Sequence, residues 1–222
     1  MNTPTRHTVK AFDEDIDRIR GLITEMGSRA ELAVVNAMAA LRDNNGDLAA
    51  ETVANDKVID RLETEVEKAV VQTIALRAPM ADDLRELVAD LKMSPVIERI
   101  GDYAKNIAKR VGKLESKAFL SQNRQLDLMG EITAEMVRSV MEAYVRRDVD
   151  IARAVHNRDK EVDQIYKDVF VDFVAFVAKH PESATEIAHL LFISKNLERI
   201  GDHATTCAEM IIFTETGSAV VE

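Results

Sequence analysis

The pentapeptide Glu-Arg-Ile-Gly-Asp occurs twice, at Glu98–Asp102 and at Glu198–Asp202, 100 positions apart. A word repeated at such a period marks a chain built from two copies of one structural unit. The correspondence extends beyond the word. Asp150-Ile151-Ala152 matches Asp47-Leu48-Ala49, and Asp159-Lys160-Glu161-Val162-Asp163 matches Asp56-Lys57-Val58-Ile59-Asp60. His180-Pro181 stands where Ala78-Pro79 does. The offset is 103 in the early part and 100 at the pentapeptide, which predicts a loop three residues longer in the first copy.

Each copy reads as helices. Phe12, Ile16, Ile19, Ile23, Met26, Ala30, Ala33, Ala37 and Ala40 alternate spacings of four and three, the seam of a helix packed in a bundle. Asn44-Asn45-Gly46-Asp47 stops that helix and caps the next. A second helix turns Leu62, Val66, Ala69, Thr73 and Leu76 inward and ends near Ala78-Pro79. A third, from about Asp82 to Val111, buries Ile97, Ile100, Ala104, Ile107 and Val111, with Leu114 continuing the stripe. Pro95 lies inside it and predicts a kink or a break. The polar stretch 112–125 reads as a link, and the same helix order then recurs. The expectation is an all-α chain of six long antiparallel helices in two tandem three-helix bundles, residues 1–113 and 114–222. With 8 Gly, 4 Pro and 31% charged residues, the composition suits helices rather than strands.

A formal net charge of −10 argues against nucleic acid and for cations or basic partner surfaces. Cys207 is the only cysteine, so no intrachain disulfide forms, and its apolar neighbours predict a buried, inert thiol. No leader or membrane span is read, which implies a cytoplasmic protein.

On a wheel of about 100° per residue, Glu98 and Asp102 fall opposite the apolar stripe of their helix, and Glu198 and Asp202 do the same. Asp56 and Asp60 also lie away from the stripe of the second helix, while Asp159 and Asp163 sit nearer its edge. These acids are expected to face outward. Like charges four apart on a helix are mildly destabilising, yet the arrangement appears on two helices of each copy. A hard cation would relieve the repulsion. Gly101 and Gly201 are costly in helix interiors, which predicts close approach of the neighbouring acidic helix. Arg99 and Arg199 could instead neutralise the acids at the surface. His203 is a further candidate ligand, whereas His7, His156 and His180 read as surface residues.

No phosphate loop, Cys-x-x-Cys pair or nucleophile elbow is present. Glu186 and His189 form one Glu-x-x-His element facing the core. The first copy has Glu86 and Ala89 there, so the paired element of a ferritin-like oxidase is lacking.

With Asp-x-x-x-Asp and then Glu-Arg-Ile-Gly-Asp in each of two three-helix units, the sequence resembles the PhoU family over nearly its whole length. The resemblance implies a cytoplasmic, often dimeric, non-enzymatic regulator of phosphate uptake and homeostasis. Such a protein acts on a phosphate ABC transporter, through its ATPase subunit, and on a phosphate-sensing histidine kinase, keeping phosphate-starvation signalling off. It also implies surface sites for divalent or trivalent metal ions (Fe, Mn, Mg or Zn). The first would use Asp56, Asp60, Glu98 and Asp102, and the second Asp159, Asp163, Glu198 and Asp202. The first motif continues with Asn106, as the family's does, and the second has Thr206, so the sequence favours the first site. The other readings are a metal-free helical adaptor and a metal-dependent hydrolase.

Overall fold

The computed structural model describes residues 5–114 and 124–218, the side chains of residues 5–9 aside. These residues form six α-helices and one 3-10 turn, with no strand among them. Helix α1 spans Thr5–Asp43, α2 Gly46–Arg77, α3 Ala81–Val111, α4 Arg124–Arg146, α5 Val149–Lys179 and α6 Ala184–Thr216. The 3-10 turn, Pro181–Ser183, precedes α6. Of the expected link, residues 115–123 lie outside the described residues, and Arg124 and Gln125 already belong to α4.

Local signals explain the boundaries. Asn44 ends α1 in the left-handed region at φ 50°, and Arg147 ends α4 the same way at φ 55°. The Asn45 carboxamide oxygen accepts from the Leu48 amide, and at the matching position the Asp148 carboxylate accepts from the Asp150 and Ile151 amides. These caps satisfy amide donors that a helix start leaves free.

Pro95 neither breaks nor interrupts α3. Lacking an N–H, it leaves the Leu91 carbonyl without its i+4 donor, and the Ser94 hydroxyl donates to that carbonyl at 3.5 Å. The three-residue offset falls between the second and third helices of each copy: residues 78–80 connect α2 to α3, whereas His180 alone separates α5 from the 3-10 turn Pro181–Ser183, which stands where α3 has its first turn. Leu76 is a second correction. It is 65% exposed, while Leu62, Val66, Ala69 and Thr73 are buried as expected and Val70 joins them on the inward face of α2.

The two bundles share one continuous core. Helices α1, α3, α6 and α4 form a central ring, each packed on the next; α2 lies across α1 and α3, and α5 across α4 and α6. Within the ring α1 and α4 run antiparallel at very short range. A Cβ on Gly27 of α1 would lie 1.8 Å from Met141 Sδ, and one on Gly130 of α4 would lie 2.8 Å from Met38 Cγ and Cε. Gly27 and Gly130, like Met38 and Met141, are corresponding residues of the two copies, so the crossing is two-fold symmetric in sequence as in space. Helices α3 and α6 are also antiparallel: Arg85 donates to the Thr214 carbonyl near one end, and Arg110 to His189 Nδ1 near the other.

Because a methyl group at residue 27 overlaps Met141, Gly27→Ala is expected to destabilise the fold by about 1–3 kcal/mol, despite the better helix propensity of Ala. Thermal denaturation reads this as a fall of about 2–4 °C per kcal/mol. An unchanged melting temperature would show that α1 and α4 do not cross this closely.

Candidate functional site

The expected acids gather in two matching grooves, between α2 and α3 and between α5 and α6. Glycine sets the spacing in both. A Cβ on Gly101 would lie 2.7 Å from Ile59 Cδ1 and 3.6 Å from Asp56 Oδ1. A Cβ on Gly201 would lie 2.8 Å from Asp159 Oδ1 and 3.6 Å from Val162 Cγ1. The bare backbone of α3 and α6 thus lets the Asp-x-x-x-Asp helix of each copy rest against its Glu-x-x-x-Asp helix.

The acids do not all face outward. Asp56 is only 5% exposed, and Asp60 alone of the eight is exposed; the other six are half-buried on the groove walls. The wheel misplaces Asp56 because it describes one helix, whereas α3 covers that face of α2.

In the first groove, Lys105 Nζ donates to Asp56 Oδ2 at 2.5 Å and also to Asp102 Oδ1, tying α2 to α3. Burial works against the ammonium, but Asp102 and Asp56 outweigh it and raise its pKa. Burial likewise raises the Asp56 carboxyl, with Lys105 opposing. Glu98 has no such partner. Burial, then Asp102 and Glu63, push it up to about 7, and Arg99 stands 3.9 Å away.

In the second groove Thr205 replaces Lys105, and among the described residues no ammonium bridges the helices. Burial and the charges of Asp163, Asp202 and Glu198 push Asp159 up to about 6. Burial and Glu198 raise Asp202. Lys195 Nζ donates to Glu198 Oε1 at 2.5 Å, while Glu198 Oε2 is buried without a partner. Arg199 is 4.0 Å from it, at the limit of an ion pair. Among the described residues, no three His, Cys, Asp or Glu side chains already converge as metal ligands do.

The remaining candidates resolve individually. His203 packs edge-on against its counterpart Tyr103 at 5.4 Å where α3 meets α6, and not among the acids. His189 accepts from Arg110 at 3.0 Å, a satisfied histidine. His180 is exposed and stacks on Phe176, but His156 is half-buried and 4.0 Å from Glu209. The side chain of His7 lies outside the described residues. Cys207 is fully buried, which pushes its thiol up to about 12 and leaves it inert.

Lys105, Lys195 and Glu63 escape the sequence reading, although the two lysines stand three residues from Asp102 and Glu198. Helical neighbours at that spacing are the signal that would have found them.

The model of the PhoU domain matches the chain twice, over residues 23–111 and 126–211. The chain belongs to the PhoU family. A phosphate-specific transport system accessory protein PhoU homolog from Zymomonas mobilis is 47% identical over 97% of this chain and 91% of its own length. One from Caulobacter vibrioides is 42% identical over 96% and 93%. The crystal structure of PhoU from Pseudomonas aeruginosa superimposes with a TM-score of 0.86 at 29% identity, covering 93% of this chain and all of that one. PhoU proteins are accessory and regulatory, not enzymes. Among the described residues of this PhoU chain, no helix is long and apolar enough to cross a membrane.

The grooves make the stability of this PhoU protein depend on pH. Raised carboxyl pKa values mean that the folded state holds its protons more tightly than the unfolded chain. The stabilisation is therefore complete below the unfolded values and is lost as pH rises through the folded ones. For Asp159 that window runs from 3.8 to about 6, and for Glu98 from 4.5 to about 7. Metal-free protein is expected to melt at a higher temperature at pH 5.5 than at pH 7.5. Asp159→Asn should raise the melting temperature at pH 7.5 and flatten the pH dependence. A variant less stable than wild type at pH 7.5 would contradict the crowding of the second groove.

Proposed function

We propose that this PhoU protein is a cytoplasmic regulator of phosphate uptake and homeostasis that keeps phosphate-starvation signalling off. It does so through contact with the ATPase subunit of a phosphate ABC transporter and with a phosphate-sensing histidine kinase, working as a homodimer. The observation that carries the reading is full-length similarity to phosphate-specific transport system accessory proteins, with both repeats intact. Each repeat, 1–113 and 114–222, supplies one acidic groove.

The grooves are read as sites for divalent or trivalent metal ions, Fe, Mn, Mg or Zn. The donor set is all carboxylate, which suits hard cations. Asp159, Asp163, Glu198 and Asp202 would hold one ion or cluster, and Asp56, Asp60, Glu98 and Asp102 another. Bound there, a metal neutralises the mutual repulsion of the acids and joins the two helices of the groove. The electrostatics favour the second groove, reversing the order that Asn106 and Thr206 suggest. Lys105 already supplies a positive charge between Asp56 and Asp102, Thr205 supplies none, and the Thr206 hydroxyl is turned back onto the Asp202 carbonyl at 3.0 Å. The second reading, a metal-free helical adaptor, is favoured by the same lysine, since one groove is already closed by an internal cation.

Deleting the gene in its host is expected to switch on phosphate-starvation genes, or to unbalance uptake, in phosphate-rich medium. Affinity purification from such cells should recover the transporter ATPase or the kinase. An unchanged response together with neither partner would sink the proposal. For the metal, elemental analysis and titration of purified protein should show binding that Asp159→Asn/Asp202→Asn abolishes and Asp56→Asn/Asp102→Asn reduces less. No stoichiometric binding of any of the four metals would leave the adaptor reading standing.

A further inference from the structure

One end of the central ring holds a polar cavity that the acidic grooves do not involve. A groove of about 500 Å³ opens between α1, α3, the end of α4 and α6, and the exposed Asp13, Asp17, Asp82 and Asp83 line it. Behind it lies a chamber of about 20 Å³, and the two share Arg20, Glu86, Arg147, Thr214 and Glu215 as a common wall. Asp90 lines the chamber and is 1% exposed. Its Oδ1 accepts from the Tyr144 hydroxyl at 2.8 Å, while Oδ2 is buried with no partner. A buried carboxylate oxygen without a donor is expensive, and native structures keep few of them.

The duplication provides an internal control. At the opposite end of the ring, the residues corresponding to Asp90 and Tyr144 are Leu190 and Leu41, both buried. The fold therefore closes a ring end with leucines and does not need a carboxylate there. Arg147 makes the same point. It holds a left-handed backbone at φ 55°, where its counterpart Asn44 is the residue type that tolerates such a conformation more readily. Its guanidinium donates to Glu86 and reaches Glu215 at 3.8 Å.

The chemistry of a ligand follows from what is already paired. Arg20 and Arg147 are committed to Glu86, and Arg85 pairs with Asp82 at 3.1 Å and donates to the Thr214 carbonyl. Asp82 thus already shares Arg85, and Asp17 lies 3.8 Å from Arg20. Among the described residues of the lining, three arginines face Asp13, Asp17, Asp82, Asp83, Glu86 and Glu215 besides Asp90, so the excess charge is negative and the Asp90 oxygen is still open. The chamber admits a group about the size of a water molecule, which excludes a guanidinium and suits a primary ammonium with its three donors. A groove of about 500 Å³ is large enough for a small molecule, and its acids would hold further positive charges.

We propose that groove and chamber together bind a linear aliphatic polyamine, with one terminal ammonium against Asp90 Oδ2 and the remaining ammoniums along Asp13, Asp17, Asp82 and Asp83. The groups facing Asp90 are Glu86 on its own helix, Arg20 from α1, Tyr144 and Arg147 from α4 and its end, and Glu215 from α6. Burial, opposed by the Tyr144 bond and reinforced by Glu86, pushes Asp90 up to about 7. Binding should therefore weaken as Asp90 takes up its proton.

The test is calorimetric titration of the full-length protein with spermidine and putrescine, with magnesium chloride as the control for general charge attraction. Spermidine is expected to bind at one site per chain, about tenfold more weakly at pH 6 than at pH 8 as the ionised fraction of Asp90 falls. Asp90→Asn should lose at least tenfold in affinity at pH 8 and lose the pH dependence. Asp82→Asn/Asp83→Asn should weaken binding while keeping that dependence. Thermal melting checks that each variant folds, and Asp90→Asn should be no less stable than wild type. Equal binding by wild type and Asp90→Asn, or spermidine binding that magnesium abolishes at equal charge, would overturn the proposal. So would no spermidine binding at all, whether because a water alone occupies the chamber or because only a lysine-bearing peptide binds.

Discussion

The distance between helix backbones controls the rest of this structure, and glycine sets it at four matched places. Gly27 and Gly130 let α1 and α4 close on the methionines of the opposite helix. Gly101 and Gly201 let α2 and α5 press onto α3 and α6. The first pair brings the two three-helix bundles together around a central four-helix ring with one shared core. The second pair carries the first acidic residue of each Asp-x-x-x-Asp motif to the groove wall beside a Glu-x-x-x-Asp motif. A side chain at either kind of position would separate elements that the core and the acids both require together.

Much of this was legible in the chain. The four-three alternation of α1, the stop and cap at 44–47, and the apolar stripes of α3 and α6 each depend on one helix and its nearest neighbours in sequence. The glycines inside Glu-Arg-Ile-Gly-Asp pointed to close approach because their helix penalty needs a compensating contact. What escaped depends on a second helix. Asp56 appears outward on its own wheel but lies beneath α3. Leu76 continues the stripe of α2 past the place where a partner covers it. The Gly27–Met141 and Gly130–Met38 reciprocity was present at the 103-residue offset, but only the crossing gives those pairs a meaning.

The two grooves were also read as more alike than they are. Their acids align one for one, yet their cations do not. Lys105 joins Asp56 and Asp102 across the first groove, and its counterpart Thr205 cannot. Lys195 reaches Glu198 in the second, where the first has Pro95. A protein whose repeats keep their carboxylates and exchange their ammoniums has one groove with its helices already tied by charge. The other has helices held close by packing against the repulsion of its acids. That difference gives the repeats different electrostatic stiffness and different responses to an added cation.

The ends of the ring diverge by the same logic. Leu41 and Leu190 close one end with apolar side chains, and Tyr144 and Asp90 replace them at the other. Duplicated folds allow such reasoning because each copy shows what the packing alone demands. A residue kept in both copies, such as Gly101 with Gly201, answers to the shared architecture. A polar residue buried in one copy where the other buries leucine lacks that explanation. Asp90 leaves one carboxylate oxygen unpaired at 1% exposure, in a ring whose other end avoids that penalty, so its reason has to be sought in what the cavity beside it can hold.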